Sequence, residues 1–149
     1  MKISSKVQCG IIALIDICLN SSNGEVVTVV NISRRQDISA KYLEQILPLL
    51  RHSSIIRSVK GAKGGYILSK PAASITLREV IDALDSTILG EVSFEDKEPS
   101  HISDAISECL WSKMTVFLQD FAEKVTLSDI ADKYSQLAES NAEEPMYYI

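Results

Sequence analysis

Two short helical patterns separated by only three residues constrain the fold of this chain more than any other feature of its sequence. The first covers residues 29–36, and the second covers residues 40–52 and has Ser39 as its N-cap. The second pattern places four apolar residues on one face, namely Leu43, Ile46, Leu47 and Leu50. Because Pro48 lacks a backbone N–H, a kink or a short break is expected there. Two short helices joined so tightly are typical of a helix-turn-helix.

A short basic hairpin is predicted directly after these two helices. β-prone runs at residues 55–59 and 66–68 flank the segment 60–65, which contains three glycines and two lysines. A flexible basic hairpin in this position is the wing of a winged helix.

Two further helices complete the predicted domain. Apolar residues at helical spacing predict one over residues 5–20, and a capping box formed by Thr76 and Glu79 predicts another over residues 77–84. A small strand is expected near Val26–Thr28. The fold class is therefore mainly α, with a winged helix-turn-helix domain and its β-hairpin over residues 1–84.

The charge of the chain is divided between two unlike halves. Residues 1–75 contain ten basic and four acidic residues, a net charge of +6, whereas residues 76–149 contain five and sixteen, a net charge of −11. The overall charge of −5 hides this division. A basic segment attracts phosphates, so the first half is predicted to bind double-stranded DNA.

The residues predicted to contact DNA belong to the two short helices, the wing and the first helix. Basic side chains are expected on phosphates, and the start of the second short helix is expected near the bases. The full set is Lys6, Arg34, Arg35, Ser39, Lys41, Tyr42, Glu44, Gln45, Arg51, Lys60, Lys63 and Tyr66. The alternative is a basic, solvated face on a protein-interaction module that never binds DNA.

The second half predicts a dimerisation region. After a linker over residues 85–100, a long helix carries an apolar stripe too large to leave uncovered, so it is expected to pair with a second copy of the chain. The predicted dimerisation residues are Ile102, Ile106, Leu110, Trp111, Met114, Phe117 and Phe121. A last helix is predicted over residues 127–137. The dimerisation helices thus cover residues 101–137, and a tail covers residues 138–149.

Several other classes of protein are disfavoured by the sequence. The glycine-rich segment lacks the Gly-Lys-Ser/Thr ending of a nucleotide-binding loop, and His52 and His101 have no neighbours at metal-ligand spacing. No catalytic residue, metal site or enzyme activity is therefore predicted. Three widely spaced cysteines and the absence of a long apolar run predict a cytoplasmic protein that does not cross a membrane.

The chain resembles the Rrf-type winged-helix regulators. The resemblance is carried by the start at residues 1–6, by Ile38-Ser-Ala-Lys-Tyr-Leu-Glu-Gln-Ile46 and by Ser58-Val-Lys-Gly-Ala-Lys-Gly-Gly-Tyr-Ile-Leu68, and it covers about residues 1–85. It implies a homodimeric transcriptional repressor in which long helices cross between subunits. Two winged helices would then bind a palindromic operator.

The chain departs from the family pattern at two places. Lys60 stands where family members often have arginine, which keeps the charge but loses the planar fork. The iron–sulfur members hold their cluster through three cysteines in the loop before the long helix, whereas residues 85–108 contain no cysteine and Cys109 is not at a ligand position. The chain is therefore expected to bind no cluster and no other cofactor. A cluster-containing redox or nitric-oxide sensor remains the alternative.

Within the family, the chain is most similar to the cysteine-metabolism repressor. That similarity implies control of cysteine or sulfur genes through a complex with cysteine synthase that O-acetylserine dissolves. The apolar C-terminus suggests that Tyr147, Tyr148 and Ile149 dock this enzyme. The alternative for these three residues is a frayed tail or a tail packed against the dimer.

Overall fold

The structure is a computed structural model that describes residues 2–94 and 98–143. It contains seven α-helices and one two-stranded antiparallel sheet among these residues. Their bounds are α1 Ser5–Asn20, α2 Val29–Gln36, α3 Ala40–His52, β1 Ile56–Val59, β2 Gly65–Leu68, α4 Leu77–Leu84, α5 His101–Ile106, α6 Ser112–Lys124 and α7 Leu127–Glu143. A π-helical turn, Ser107–Trp111, joins α5 to α6, so residues 101–124 form one continuous element, called the long helix below.

The predicted helices of the winged-helix domain are confirmed, and their N-caps explain where they begin. The side chain of Ser39 accepts a hydrogen bond from the backbone N–H of Tyr42 at 3.1 Å. Thr28 and Thr76 each form a complete capping box, with Asn31 and Glu79 respectively. The break expected at Pro48 is absent, because α3 is continuous from Ala40 to His52.

A single apolar core holds α1, α3 and α4 together. Leu14 and Ile17 of α1, and Leu43 and Leu47 of α3, are completely buried. Burying one such side chain contributes about 1.5–3 kcal/mol, so these residues fix the helices against one another. Leu127 at the start of α7 is also completely buried in this core.

The wing is a two-stranded hairpin extended by one residue of a third segment. β1 and β2 pair in the register Ile56–Leu68 to Val59–Gly65. On the other side of β2, Val27 exchanges two backbone hydrogen bonds with Tyr66, at 3.0 and 2.7 Å. The small strand expected around Val27 is thus reduced to one bridge. A Cβ on Gly65 would lie 2.8 Å from the Val27 carbonyl oxygen, which explains the glycine.

The end of the long helix is fastened to the winged-helix domain. The Leu77 N–H donates to the Val125 carbonyl oxygen at 2.8 Å, and the Leu127 N–H donates to the Ile75 carbonyl oxygen at 2.9 Å. Arg78 of α4 also forms an ion pair with Glu123 at 3.0 Å. The connection between the two regions is therefore fixed at this end of the long helix.

The last helix is longer than its sequence pattern predicts. The sequence predicts an end near Leu137, but α7 continues to Glu143, since residues 138–143 contain no glycine or proline. The Ser140 hydroxyl is satisfied within the helix, where it donates to the Gln136 carbonyl oxygen at 2.9 Å. The predicted docking residues Tyr147, Tyr148 and Ile149 lie outside the described residues. In the described part of the chain, no helix has both the length and the apolar character that a membrane span requires.

Candidate nucleic-acid interface

The turn between α2 and α3 presents the start of α3 at the surface. Asp37 adopts the left-handed conformation, with φ 54° and ψ 44°, and this ends α2 sharply. Ile38 then turns inward and is buried, while Ser39 is exposed and caps α3. The predicted helix-turn-helix is therefore present, with the N-terminus of its second helix facing solvent.

One face of α3 is polar and exposed to solvent. Lys41, Glu44, Gln45 and Arg51 are all exposed, and spacings of three, four and seven place them on one side of the helix. The opposite side carries the buried leucines and isoleucine of the core. Lysine and arginine match phosphates, glutamine matches the edge of adenine, and glutamate accepts from the amino group of cytosine. This face has the chemistry needed to read a major groove.

The two predicted tyrosines belong partly to the core. Tyr42 and Tyr66 are half-buried, and both pack against the buried cluster. Tyr66 is further fixed by its backbone hydrogen bonds to Val27. Each tyrosine thus supports its own element, α3 or the wing, and keeps part of its surface accessible.

The wing presents its basic residues to solvent. Lys60 and Lys63 are exposed at the tip, where the Gly64 N–H donates to the Gly61 carbonyl oxygen at 3.0 Å. Arg57 is also exposed on β1, where it pairs with Ile67. Arg57 was not among the residues predicted to contact DNA, although the alternation of inward and outward residues along a strand would have identified it.

Lys6 and Arg34 are also exposed, but they lie on α1 and α2 and not on α3 or the wing. Lys6 is in the first turn of α1 and faces the end of α4. Hydrogen bonds from the hydroxyl and the backbone N–H of Thr87, and then the charge of Lys6, lower the pKa of Asp85. Arg34 lies in the last turn of α2 and forms no ion pair within residues 2–94 and 98–143.

Arg35 has a different environment from the other predicted contacts. Its guanidinium binds the buried carboxylate of Asp16 through two hydrogen bonds, at 2.9 and 2.7 Å, and Gln36 donates a third at 2.8 Å. Burial alone would raise the pKa of Asp16, but these hydrogen bonds and the charge of Arg35 lower it. The hydrogen bond to Asp16 raises the pKa of Arg35. Asp16 was visible in the sequence as the one charge interrupting an apolar helix.

The predicted dimerisation stripe is exposed along the whole long helix. Ile102 and Phe117 have 75% and 71% of their surface accessible. The other exposed members are Ile106, Leu110, Met114 and Phe121. Single exposed apolar residues are common, but a continuous row of six marks an interaction surface.

Trp111 does not belong to this stripe. It lies one position beyond Leu110, which rotates it to another face of the helix, where it lines a cleft of about 310 Å³ together with Val92 and Gln119. The side-chain amide of Gln119 donates a hydrogen bond to the Leu89 carbonyl oxygen at 2.7 Å, which ties the long helix to the segment after α4. The indole Nε1–H is buried and has no hydrogen-bond partner among the described residues. Trp111 therefore packs toward the linker.

The cysteines do not fit an iron–sulfur cluster, which needs several thiolates in one place. Cys9 and Cys18 are half-buried in α1, roughly 14 Å apart along its axis, and Cys109 is exposed on the long helix. Burial, and then the charge of Asp132, raise the pKa of the Cys18 thiol and so disfavour the thiolate. In residues 2–94 and 98–143, no three His, Cys, Asp or Glu side chains are grouped to hold a metal ion.

Comparisons with known proteins identify related regulators. Residues 3–133 match the Rrf2 family, described as an iron-dependent transcriptional regulator. The HTH-type transcriptional regulator IscR of Cereibacter sphaeroides is 33% identical over 135 residues, which is 87% of this chain and 86% of that protein.

Two solved structures are similar in fold. CymR (YrzC), the global cysteine regulator of B. subtilis, matches with a TM-score of 0.73 and 27% identity, over 89% of this chain and 98% of that one. T. potens IscR matches with a TM-score of 0.67 and 26% identity, over 100% of this chain and 93% of that one.

Proposed function

Because the chain belongs to the Rrf2 family of transcriptional regulators, we propose that its winged-helix domain binds double-stranded DNA through the exposed face of α3. The observation that carries this proposal is the position of Lys41, Glu44, Gln45 and Arg51 on one accessible face. The family consists of regulators, and the protein is not an enzyme.

The proposed complex uses α3 and the wing in different ways. The start of α3 enters the major groove, where Glu44 and Gln45 contact base edges and Lys41 contacts a phosphate. Lys60 and Lys63 of the wing bind phosphates or the adjacent minor groove, and Arg57 supports them from β1. The acidic second half remains away from the DNA, because its charge repels phosphates. A protein with this function acts in the cytoplasm, with the chromosome.

The proposed active form is a homodimer. The stripe from Ile102 to Phe121 supports this, since a second copy of the long helix would cover the apolar surface that the chain leaves exposed. A two-fold dimer presents two α3 helices and therefore predicts a palindromic operator whose half-sites are about one or two helical turns apart.

Selection of binding sites from a pool of random duplexes tests this function and does not require the operator sequence. We expect enrichment of an inverted repeat, and a binding constant for the selected duplex that falls steeply with salt. No binding to duplex DNA at about 50 mM salt would contradict the proposal and favour a protein-interaction module. A single, unrepeated half-site would contradict the dimeric form alone.

We further propose that the protein represses cysteine or sulfur genes and is signalled by cysteine synthase in response to O-acetylserine. The similarity to the global cysteine regulator of B. subtilis supports this, as does the absence of cysteine from residues 85–108. Titration of the selected duplex with and without cysteine synthase and O-acetylserine is the test. Deleting residues 146–149 should weaken the complex with the enzyme, and unchanged binding would dispose of the tail hypothesis.

The similarity to IscR proteins favours a second candidate, an iron–sulfur sensor of the same family. The positions of the three cysteines argue against it. Purification without oxygen separates the two candidates, because a cluster gives a brown protein with visible absorbance and the proposed regulator is colourless.

A further inference from the structure

Asp16 is the one charged residue that is buried in the part of the chain that the structure describes, with 1% of its surface accessible. It lies in α1 between Leu14 and Ile17, both completely buried, so its backbone is fixed by the core. A buried carboxylate is costly unless its oxygens are hydrogen-bonded. Here both oxygens are satisfied, by Arg35 and Gln36.

The partners of Asp16 are the last two residues of α2. This helix has eight residues and buries only Ile32 completely, so apolar packing leaves its C-terminal end weakly held. Three hydrogen bonds from that end to Asp16 replace the missing packing. The two hydrogen bonds of the Arg35 guanidinium also fix the orientation of this side chain relative to α1, which a single hydrogen bond would not do.

The same end of α2 places the first turn of α3, which lies at the exposed face. Asp37, in its left-handed conformation, follows Gln36 directly, and Ser39 already caps α3. The core anchors of α3 begin at Leu43, so the residues that open the helix, Ser39 and Lys41, are placed by this turn and by the end of α2 that precedes it. A recognition face that is displaced by about 1 Å loses much of its specific binding.

We propose that Asp16 is a positioning residue for DNA recognition, and that Arg35 acts through Asp16 instead of contacting phosphate. This inference rests on the proposed DNA-binding function. It changes the role of Arg35, which was predicted to contact DNA, and it leaves Arg34 as the arginine of α2 that is free to reach a phosphate.

The two roles of Arg35 predict different binding data for Asp16→Asn, Arg35→Gln and the double variant. For a positioning pair, each single variant weakens binding to the selected duplex about tenfold, and the double variant loses no more than either single variant. Binding to a random duplex is unchanged, as is the dependence of binding on salt. For a phosphate contact, Arg35→Gln lowers the salt slope by about one unit, and Asp16→Asn does not weaken binding.

Two controls separate positioning from a loss of stability. Ile17→Val removes one methyl group from the same helix and is expected to cost about 0.5–1.5 kcal/mol without touching the pair, so it should bind the selected duplex normally once folded. Arg34→Gln removes an exposed arginine next to the pair and should lower the salt slope. All measurements are made at a temperature where circular dichroism shows each variant to be folded.

The same measurements distinguish a failure of the proposed DNA-binding function from a failure of the positioning role of Asp16. If the unaltered protein binds no duplex, the proposed function is wrong and this inference falls with it. If the unaltered protein binds but the two single variants keep their discrimination between selected and random duplexes, only the inference is wrong. Should Asp16→Asn fail to fold, Gln36→Ala removes a single hydrogen bond from an exposed side chain and is expected to reduce discrimination by about threefold, again at constant salt slope.

Discussion

Two helices of this molecule carry apolar stripes of similar spacing, and only one of them is covered by its own chain. On α3, Leu43 and Leu47 are completely buried. On the long helix, Ile102 and Phe117 keep about three quarters of their surface accessible. The spacing of apolar residues therefore predicts that a face will be covered, but it does not tell which molecule covers it.

The largest effect is expected from the covered stripe. Leu47→Ala should lower the free energy of unfolding by about 3 kcal/mol, since it leaves a cavity that the core cannot close. Leu110→Ala is the matched change on the long helix, and in dilute protein it should cost less than about 1 kcal/mol because 44% of the Leu110 surface is accessible. Urea denaturation at low protein concentration measures both, and equal losses would mean that the two stripes are covered alike.

A charge on the exposed stripe should affect association instead of folding. Phe117→Glu places a carboxylate in the proposed dimer interface and is expected to weaken the dimer about a hundredfold, without a change in circular dichroism. Val30→Glu introduces the same charge at an exposed position of α2, outside the stripe, and serves as the control. Sedimentation velocity over a range of concentrations measures the dissociation constant. A dimer that survives Phe117→Glu would show that another surface forms it.

The winged-helix domain, whose apolar stripe is covered, buries one charge among the described residues, that of Asp16, and this charge makes its stability dependent on pH. Asp16→Asn should cost about 2 kcal/mol at pH 7, because Arg35 reaches solvent and avoids the full penalty of an unpaired buried charge. The pKa of Asp16 is lowered on folding, so its contribution is complete above the ordinary value of 3.8 and is lost as pH falls through the lower value of the folded state.

Urea denaturation of the unaltered protein and of Asp16→Asn, between about pH 7 and about pH 3, measures the contribution of Asp16 to the free energy of unfolding. The difference between the unaltered protein and Asp16→Asn should be constant down to about pH 4.5 and should shrink below it. A difference that grows as the pH falls would contradict the assignment of a lowered pKa.

The smallest effect concerns the charges that distinguish the two halves. Lys63→Ala should weaken binding to selected and random duplexes alike, by less than about tenfold, and should reduce the salt slope by about one unit. Lys133→Ala removes the same charge from α7 and should change neither quantity. Fluorescence anisotropy between about 50 and 200 mM salt measures both, and an equal effect of the two variants would mean that binding follows net charge alone. Lys41→Ala tests the same expectation on α3.

The sequence predicted most of the fold because local signals agree with the packing. The caps Thr28, Ser39 and Thr76 mark helices of the winged-helix domain, and the glycines between the strands mark the wing. The end of α7 was harder to place, since no residue between Leu137 and Glu143 stops a helix.

The candidate interface was predicted less completely, because it depends on contacts between residues that are distant in the chain. Arg35 and Asp16 are nineteen residues apart, and nothing local shows that they meet. Trp111 has the apolar character of its neighbours, and only the position of the linker shows that it turns away from the stripe. Composition gives the chemistry of a side chain, while its partner is set by tertiary packing.

The π-helical turn at Ser107–Trp111 acts as a register shift in the middle of the long helix. Its backbone closes a wider ring, with the Ser112 N–H donating to the Ser107 carbonyl oxygen. In an α-helix, steps of four residues drift by roughly 40° each, so Ile106, Leu110 and Met114 would wind around the axis. The wider turn absorbs part of this drift and keeps the row straight. The turn therefore lets the chain carry one extra residue in the middle of the row without losing the alignment of its two halves. Deleting one residue there would restore a regular helix and leave Met114 and Phe117 on the face of Ile102, whereas closing the turn to α-helical hydrogen bonds without a deletion would rotate them by roughly 100°.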